Sequence, residues 1–172
     1  MSLAVNLSVV QLQQIDLTEI VRDILTETGL PPRLLELEIT ESGAMLSPEL
    51  SIRTLYDLKK IGIRISLDDF GTGHSSLAYL KRFPIDTLKI DQSFIHDITR
   101  DPDTAAIVTA IIAMGHSLRL KVIAEGVEFT DQAVFLKRHN CDQMQGYLIN
   151  VPMPAEELEL ILAAGEVKAD VT

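Results

Sequence analysis

"RISLDDFGTG", residues 64–73, decides how this chain is read. Its first half alternates: Ile65 and Leu67 share one side of an extended segment with Ile63, and Arg64, Ser66 and Asp68 share the other. The run then ends in two adjacent carboxylates, Asp68 and Asp69, followed by a glycine-rich turn. Like charges side by side repel, so their placement where a strand ends predicts a divalent metal site.

Working outward, strand-like runs recur near residues 4–8, 34–40, 86–91, 121–126 and 143–148. Glu36, Glu38 and Thr40 lie opposite Leu35, Leu37 and Ile39, and Thr87, Lys89 and Asp91 lie opposite Leu88 and Ile90. Helical stretches separate the runs. Gly29 closes a helix begun near Leu17, Ser47 and Pro48 open the next, which Gly62 closes, and Asp101 with Pro102 opens a third. The last helix is "PAEELELILAA", residues 154–164, giving six strand-helix units in a single domain over 1–172 with its core at about 4–164. The opening three residues and the polar tail from residue 164 are given no part in the fold.

An open sheet covered by helices on both faces wants strands that are apolar on both sides. These strands are polar on one face, which points to an α/β barrel of parallel strands with a charged lumen and its reactive groups at the C-terminal strand ends. The residues there are Asn6, Glu38, Asp68 with Asp69, Lys89, Glu125 and Gln145. Taken alone, Lys89 has a structural alternative as an interior ion pair with Glu36 or Asp91, and Arg64, Lys121 and Glu36 read as deeper lumen residues that balance one another.

Composition narrows the function. At 47% hydrophobic residues, 172 residues suffice for one sizeable core, and the formal charge of −10 argues against a nucleic-acid polymer as partner. A phosphate-bearing ligand would need help from cations. No window approaches the roughly 18 apolar residues of a membrane span, so a cytoplasmic protein without membrane contact is expected. Cys141, the single cysteine, excludes an intrachain disulfide and a multi-thiolate metal site, and reads as a semi-buried thiol. The four histidines, at 74, 96, 116 and 139, lack metal-ligand spacing, and "DFG" without the other kinase motifs does not indicate a kinase.

Six motifs in order carry a resemblance: "VNLS" at Asn6, "LEITES" at Glu38 and Glu41, "LDDFGTGHSSLAYL" at Asp68 and Asp69, "DTLKIDQSF" at Lys89, "AEGVE" at Glu125 and Glu128, and "QGYLINVPMP" at Gln145. The chain resembles the EAL domain family, bacterial phosphodiesterases that hydrolyse cyclic di-GMP to linear pGpG on a TIM-like (β/α) barrel with Mg²⁺ or Mn²⁺. The resemblance implies that Asn6, Glu38, Asp68 and Asp69 bind a two-metal site. It implies that Lys89 orients the attacking water or steadies phosphate charge, and that Glu125 is the general base or binds that water. Gln145 joins them in the catalytic set, Glu128 supports it, and Glu41 anchors the "DDFGTG" loop. Asp91, Gly146 and Pro154 are implied to contact substrate.

Against the family's eight units, the chain reads as an incomplete barrel without the first two, which include the Glu-x-Leu signature strand and a nearby ligand-binding Arg. Smaller departures are His74 in place of Tyr and "LIN" in place of a Phe after "GY". An unclosed barrel predicts a homo-oligomer. Three functions are consistent with the residues: a phosphodiesterase, inactive if the missing carboxylate is essential; a non-catalytic cyclic di-GMP-binding module; and a regulatory or dimerisation fragment. Sensory or GGDEF-type domains are expected elsewhere in the parent chain.

Overall fold

The protein is described by a computed structural model over residues 2–73 and 77–164, so the His74 departure and the tail from residue 165 lie outside the described residues. β1 (Leu3–Asn6) is followed by α1 (Val9–Leu12) and α2 (Leu17–Thr28), and β2 (Leu35–Thr40) by α3 (Glu41–Met45) and α4 (Pro48–Ile61). Next come β3 (Arg64–Phe70), α5 (Leu77–Leu80), β4 (Thr87–Ile90), α6 (Gln92–Asp97) and α7 (Pro102–Ser117). The chain continues through β5 (Lys121–Ala124), α8 (Thr130–Arg138), β6 (Gln143–Met144) and α9 (Ala155–Ala164). All strand pairs are parallel and the sheet order follows the sequence, giving a half-barrel with helical crossovers.

The period-2 reading explains the core. Ile65, Leu67, Leu88, Ile90, Val122 and Ala124 all point from the sheet into the helical layer and are fully buried, meeting Leu55 and Leu58 of α4, Val108 of α7 and Leu136 of α8. Each such leucine or isoleucine contributes about 1.5–3 kcal/mol by leaving water. The opposite face is polar and still mostly shielded, with Glu36, Ser66, Thr87 and Lys89 all buried. Arg64 Nη2 lies 3.7 Å from Glu36 Oε2 there.

Helix ends behave largely as their residues dictate. Gly29 and Gly62 end α2 and α4 in left-handed conformations, φ 67° and 97°, and the Asp101 carboxylate accepts from the backbone N–H groups of Asp103 and Thr104 at the start of α7. Ser47 precedes α4 without making a side-chain cap hydrogen bond. Several strand boundaries differ from the sequence reading, with β1 ending at Asn6, β3 running to Phe70 and β5 ending at Ala124, and two of the differences have a clear cause. Leu3 belongs to the fold, because β2 begins at Leu35 and pairs with it. β6 stops at Met144, well short of 148, because Gly146 (φ 155°) turns the chain and its carbonyl accepts from Ile149 and Asn150.

Candidate active site

Regular pleating would send Asp68 and Asp69 to opposite faces. A bulge in β3 prevents this: Leu67 pairs with Leu88 and Phe70 with Ile90, so three steps along β3 match two along β4. The extra residue falls at the carboxylate pair, opposite Lys89. Asp69 takes a left-handed backbone, φ 56°, and its N–H donates to Asp68 Oδ1 at 3.0 Å. That conformation costs about 1–2 kcal/mol for a residue with a side chain. Its return is geometric, since carboxylate oxygens of Asp68, Asp69 and Glu125 all lie within 4.8 Å of one another.

Lys89, on β4, is the hub of the mouth. Its Nζ sits 2.6 Å from Glu125 Oε1, 2.8 Å from Glu38 Oε1 and 3.4 Å from Asp68 Oδ1, with the side chain 3% exposed. The alternative partners, Glu36 and Asp91, are not the ones it takes: Glu36, two residues back from Glu38 along β2, faces Arg64, and Asp91 caps α6. Burial alone would lower the Lys89 pKa, but the hydrogen bonds it donates to Glu125 and Glu38 and the charges of Glu125 and Asp68 outweigh it and hold the ammonium above its usual range. Burial raises the Glu125 pKa, with Asp68 and Glu38 adding to the effect and Lys89 opposing it. Asp69 is also raised, first by burial and then by the charges of Asp68 and Asp91.

The other sequence-indicated residues surround this hub. Asn6 is exposed at the end of β1, in register with Glu38. Glu41, buried at the start of α3, accepts from Gly71 N–H at 2.8 Å, and its second oxygen lies so near Gly73 that a Cβ there would come within 2.6 Å. The loop after the carboxylate pair is thereby tied down. Glu128 and Gln145 line a cleft of about 270 Å³ with Gln92, Glu125, Gly146 and Tyr147. Asp91 accepts from Ser93 N–H at 2.9 Å. Pro154 stands just ahead of α9, where its carbonyl accepts from Glu157 and Leu158. Sequence reasoning missed Gln132, whose buried amide bonds the loop carrying Glu128; the signal was its place at the third residue of α8, where a Gln reaches back to cap.

Oxygen donors alone meet in the cluster, without thiolate or imidazole, and this donor set fits a hard divalent cation such as Mg²⁺ or Mn²⁺. Uncompensated, three neighbouring carboxylates repel one another, and Lys89 supplies a single positive charge.

The fold and mouth define a parallel (β/α) half-barrel with an acidic, lysine-centred site at the C-terminal strand ends. The EAL domain model matches residues 1–152, and the chain belongs to that family. Among its relatives, "Signaling protein YkoW" of Bacillus subtilis is 52% identical over 92% of this chain and 20% of its own length. MucR of Pseudomonas aeruginosa, named a bifunctional diguanylate cyclase/cyclic di-GMP phosphodiesterase, is 50% identical over 91% of this chain and 23% of its length. The solved structure "PaMucR Phosphodiesterase, c-di-GMP complex" superposes with a TM-score of 0.88 at 50% identity, covering 91% of this chain and 64% of that one. The EAL domain of Mycobacterium smegmatis DcpA gives 0.91 at 41% identity, covering 96% and 74%. The chain spans about a fifth of the length of the curated relatives it matches.

Proposed function

We propose that this chain carries the catalytic mouth of a metal-dependent phosphodiesterase that hydrolyses cyclic di-GMP to pGpG. The observation that supports it most is the convergence of Glu38, Asp68 and Glu125 on the buried Lys89 Nζ beside the bulged Asp68–Asp69 pair. Asn6, Glu38, Asp68 and Asp69 would hold Mg²⁺ or Mn²⁺. The chemistry such cations supply when bound is a water acidic enough to ionise near neutral pH and neutralisation of the charge on phosphate and leaving oxygen.

The chain's own groups do the rest. Glu125, made more basic by burial, accepts the proton of the attacking water. The Lys89 ammonium stays charged and faces the phosphate oxygens. One water adds across one phosphodiester bond, the 3′ oxygen departs, and the linear dinucleotide results. Gln145 and Glu128 shape the adjoining cleft, and Asp91, Gly146 and Pro154 are assigned to substrate contact. The parent protein is proposed to act in the bacterial cytoplasm with sensory or GGDEF-type domains, and this segment to self-associate along its open edge.

Hydrolysis of cyclic di-GMP with Mn²⁺ or Mg²⁺, on this chain and on Asp68→Ala, tests the reading. Turnover that needs metal and disappears in Asp68→Ala is expected. Binding without turnover would instead make the chain a cyclic di-GMP-binding module, and absence of both a regulatory fragment.

A further inference from the structure

Gln132 is the one buried side-chain amide among the described residues, and it joins a loop of the mouth to α6. It lies in the first turn of α8 and is 1% exposed. A glutamine at this helical position ordinarily reaches back to one free N–H and stays wet. Here Oε1 accepts two, from Glu128 at 2.8 Å and Phe129 at 2.9 Å, and Nε2 donates to the Ile95 carbonyl at 3.0 Å. Ile95 lies in α6, 37 residues away along the chain. The bond to the Ile95 carbonyl is buried, where water does not replace a lost partner, and those from the Glu128 and Phe129 N–H groups are part-buried.

Both segments that Gln132 grips touch the mouth. The loop from Glu125 to Phe129 begins with Glu125 and carries Glu128 just before its last residue. Its Gly126, at φ 69°, lies against Gln92 so closely that a Cβ would come within 2.5 Å, and its Val127 exchanges backbone bonds with Gln145 and Leu148. α6 follows directly on β4, which carries Lys89, and its Phe94 ring packs on Gly71 in the loop after Asp69. Thus α6 touches the loops after β3 and β5, and Gln132 fixes it to the latter.

We propose that Gln132 is a positioning residue: its side-chain amide ties the Glu125–Phe129 loop to α6 and so sets Glu125 against Lys89 and the Asp68–Asp69 pair. This rests on the metal-dependent reading above for its catalytic consequence, and on the hydrogen bonds alone for its structural one. Lys89 lies on β4 and Glu125 just beyond the end of β5, where its N–H donates to the Ile90 carbonyl at 3.1 Å, and Gln132 adds a second tie between the loop that follows and α6. A displacement of about 1 Å at such a site costs up to roughly a hundredfold in rate.

The test uses Gln132→Met, which keeps length but removes all three bonds, and Gln132→Glu, whose oxygens still accept from both N–H groups. Amide hydrogen exchange on the whole chain is read alongside Mn²⁺ binding and steady-state turnover of cyclic di-GMP. In Gln132→Met, the Glu128 and Phe129 amides are expected to exchange at least about tenfold faster while those of α4 and α7 are unchanged. Mn²⁺ affinity and kcat are each expected to fall roughly tenfold, with KM within about twofold. Gln132→Glu should restore protection of the two amides. Unchanged exchange at Glu128 and Phe129 in a folded Gln132→Met protein, or equal acceleration along the whole chain, overturns the proposal. Should Gln132→Met not fold, the wild-type amides decide it: slow exchange at both supports the clamp, and rates of a free peptide overturn it. A wild-type chain that binds no Mn²⁺ counts against the catalytic reading, while the exchange measurements still decide the clamp.

Discussion

Asp69 and Lys89 show how single residues hold opposing demands in balance. Asp69 accepts a left-handed backbone and a raised pKa, two costs that the fold tolerates where a cation would relieve the second. Asp69→Gly separates them, because glycine adopts φ 56° freely and carries no charge. Its melting temperature in chelator is expected to match or exceed that of the wild type, while Mn²⁺ binding by calorimetry weakens at least about tenfold, the loss of one charged ligand. Lys89→Met does the reverse. It leaves Glu38, Asp68 and Glu125 facing one another without a cation, at an expected cost of about 3 kcal/mol in chelator, or roughly 6–12 °C in melting temperature. Saturating Mn²⁺ should recover part of that loss, and a variant as stable as the wild type in chelator would show that Lys89 does not hold the carboxylates together. Parity along β3 and β4 placed Lys89 and Asp68 on one face from sequence alone. The bulge was not legible, because an extra residue in a ladder is a property of two strands and "LDDF" has the same composition with or without it.

At the scale of elements, two carboxylates repeat one device at the far ends of the strands. Asp86, just before β4, accepts from Ile65 N–H at 2.8 Å and pairs with Lys59 of α4 at 2.7 Å. Asp142, just before β6, accepts from Val122 N–H at 2.8 Å and meets His116 Nε2 of α7 at 2.9 Å. Each ties the start of one strand to the neighbouring strand and to the helix before that neighbour, on the side opposite the mouth. Strand and helix order was readable from periodicity and the Gly, Pro and Asp punctuation, whereas these braces were not, since a carboxylate between a helix and a strand looks like any solvated loop residue. Burial alone would raise the Asp142 pKa, but the Val122 N–H and His116 outweigh it and hold it below the ordinary carboxylate value. A depressed folded pKa means that Asp142 contributes stability above its unfolded pKa and that the contribution is lost as pH falls through the folded value. Melting curves from neutral pH into the acid range should therefore show a shallower acid-side loss for Asp142→Asn than for wild type. Asp142→Ala, which also removes the strand acceptor, is expected to cost about 1 kcal/mol at neutral pH. Parallel curves for Asp142→Asn and wild type would remove Asp142 from the acid response.

For the whole molecule, the sheet has two ends, and they differ. Beside β6 the described chain is short and twisted by Gly146, which discourages further pairing. Among the described residues, β1 instead presents four residues in regular register on one side only, with Leu3 51% and Val5 42% exposed. Next to it Ile20 and Ile24 of α2 project into an apolar groove of about 660 Å³ that also reaches Leu17, Leu25 and Leu37. The sequence indicated an unclosed barrel by counting units; it did not show which edge carries the exposed apolar surface, because α2 has the same amphipathic stripe whether or not another element covers it. Backbone donors and acceptors left open beside exposed isoleucines favour addition of a further strand or helix, and a second copy of this chain offers both. Light scattering at micromolar concentration is therefore expected to give a dimer or larger species. Val5→Lys and Ile24→Glu place charge on the strand edge and in the groove, so each should shift the distribution toward monomer. A wild-type chain that scatters as a monodisperse monomer, or association that persists unchanged in both variants, would mean that this edge is not where copies meet.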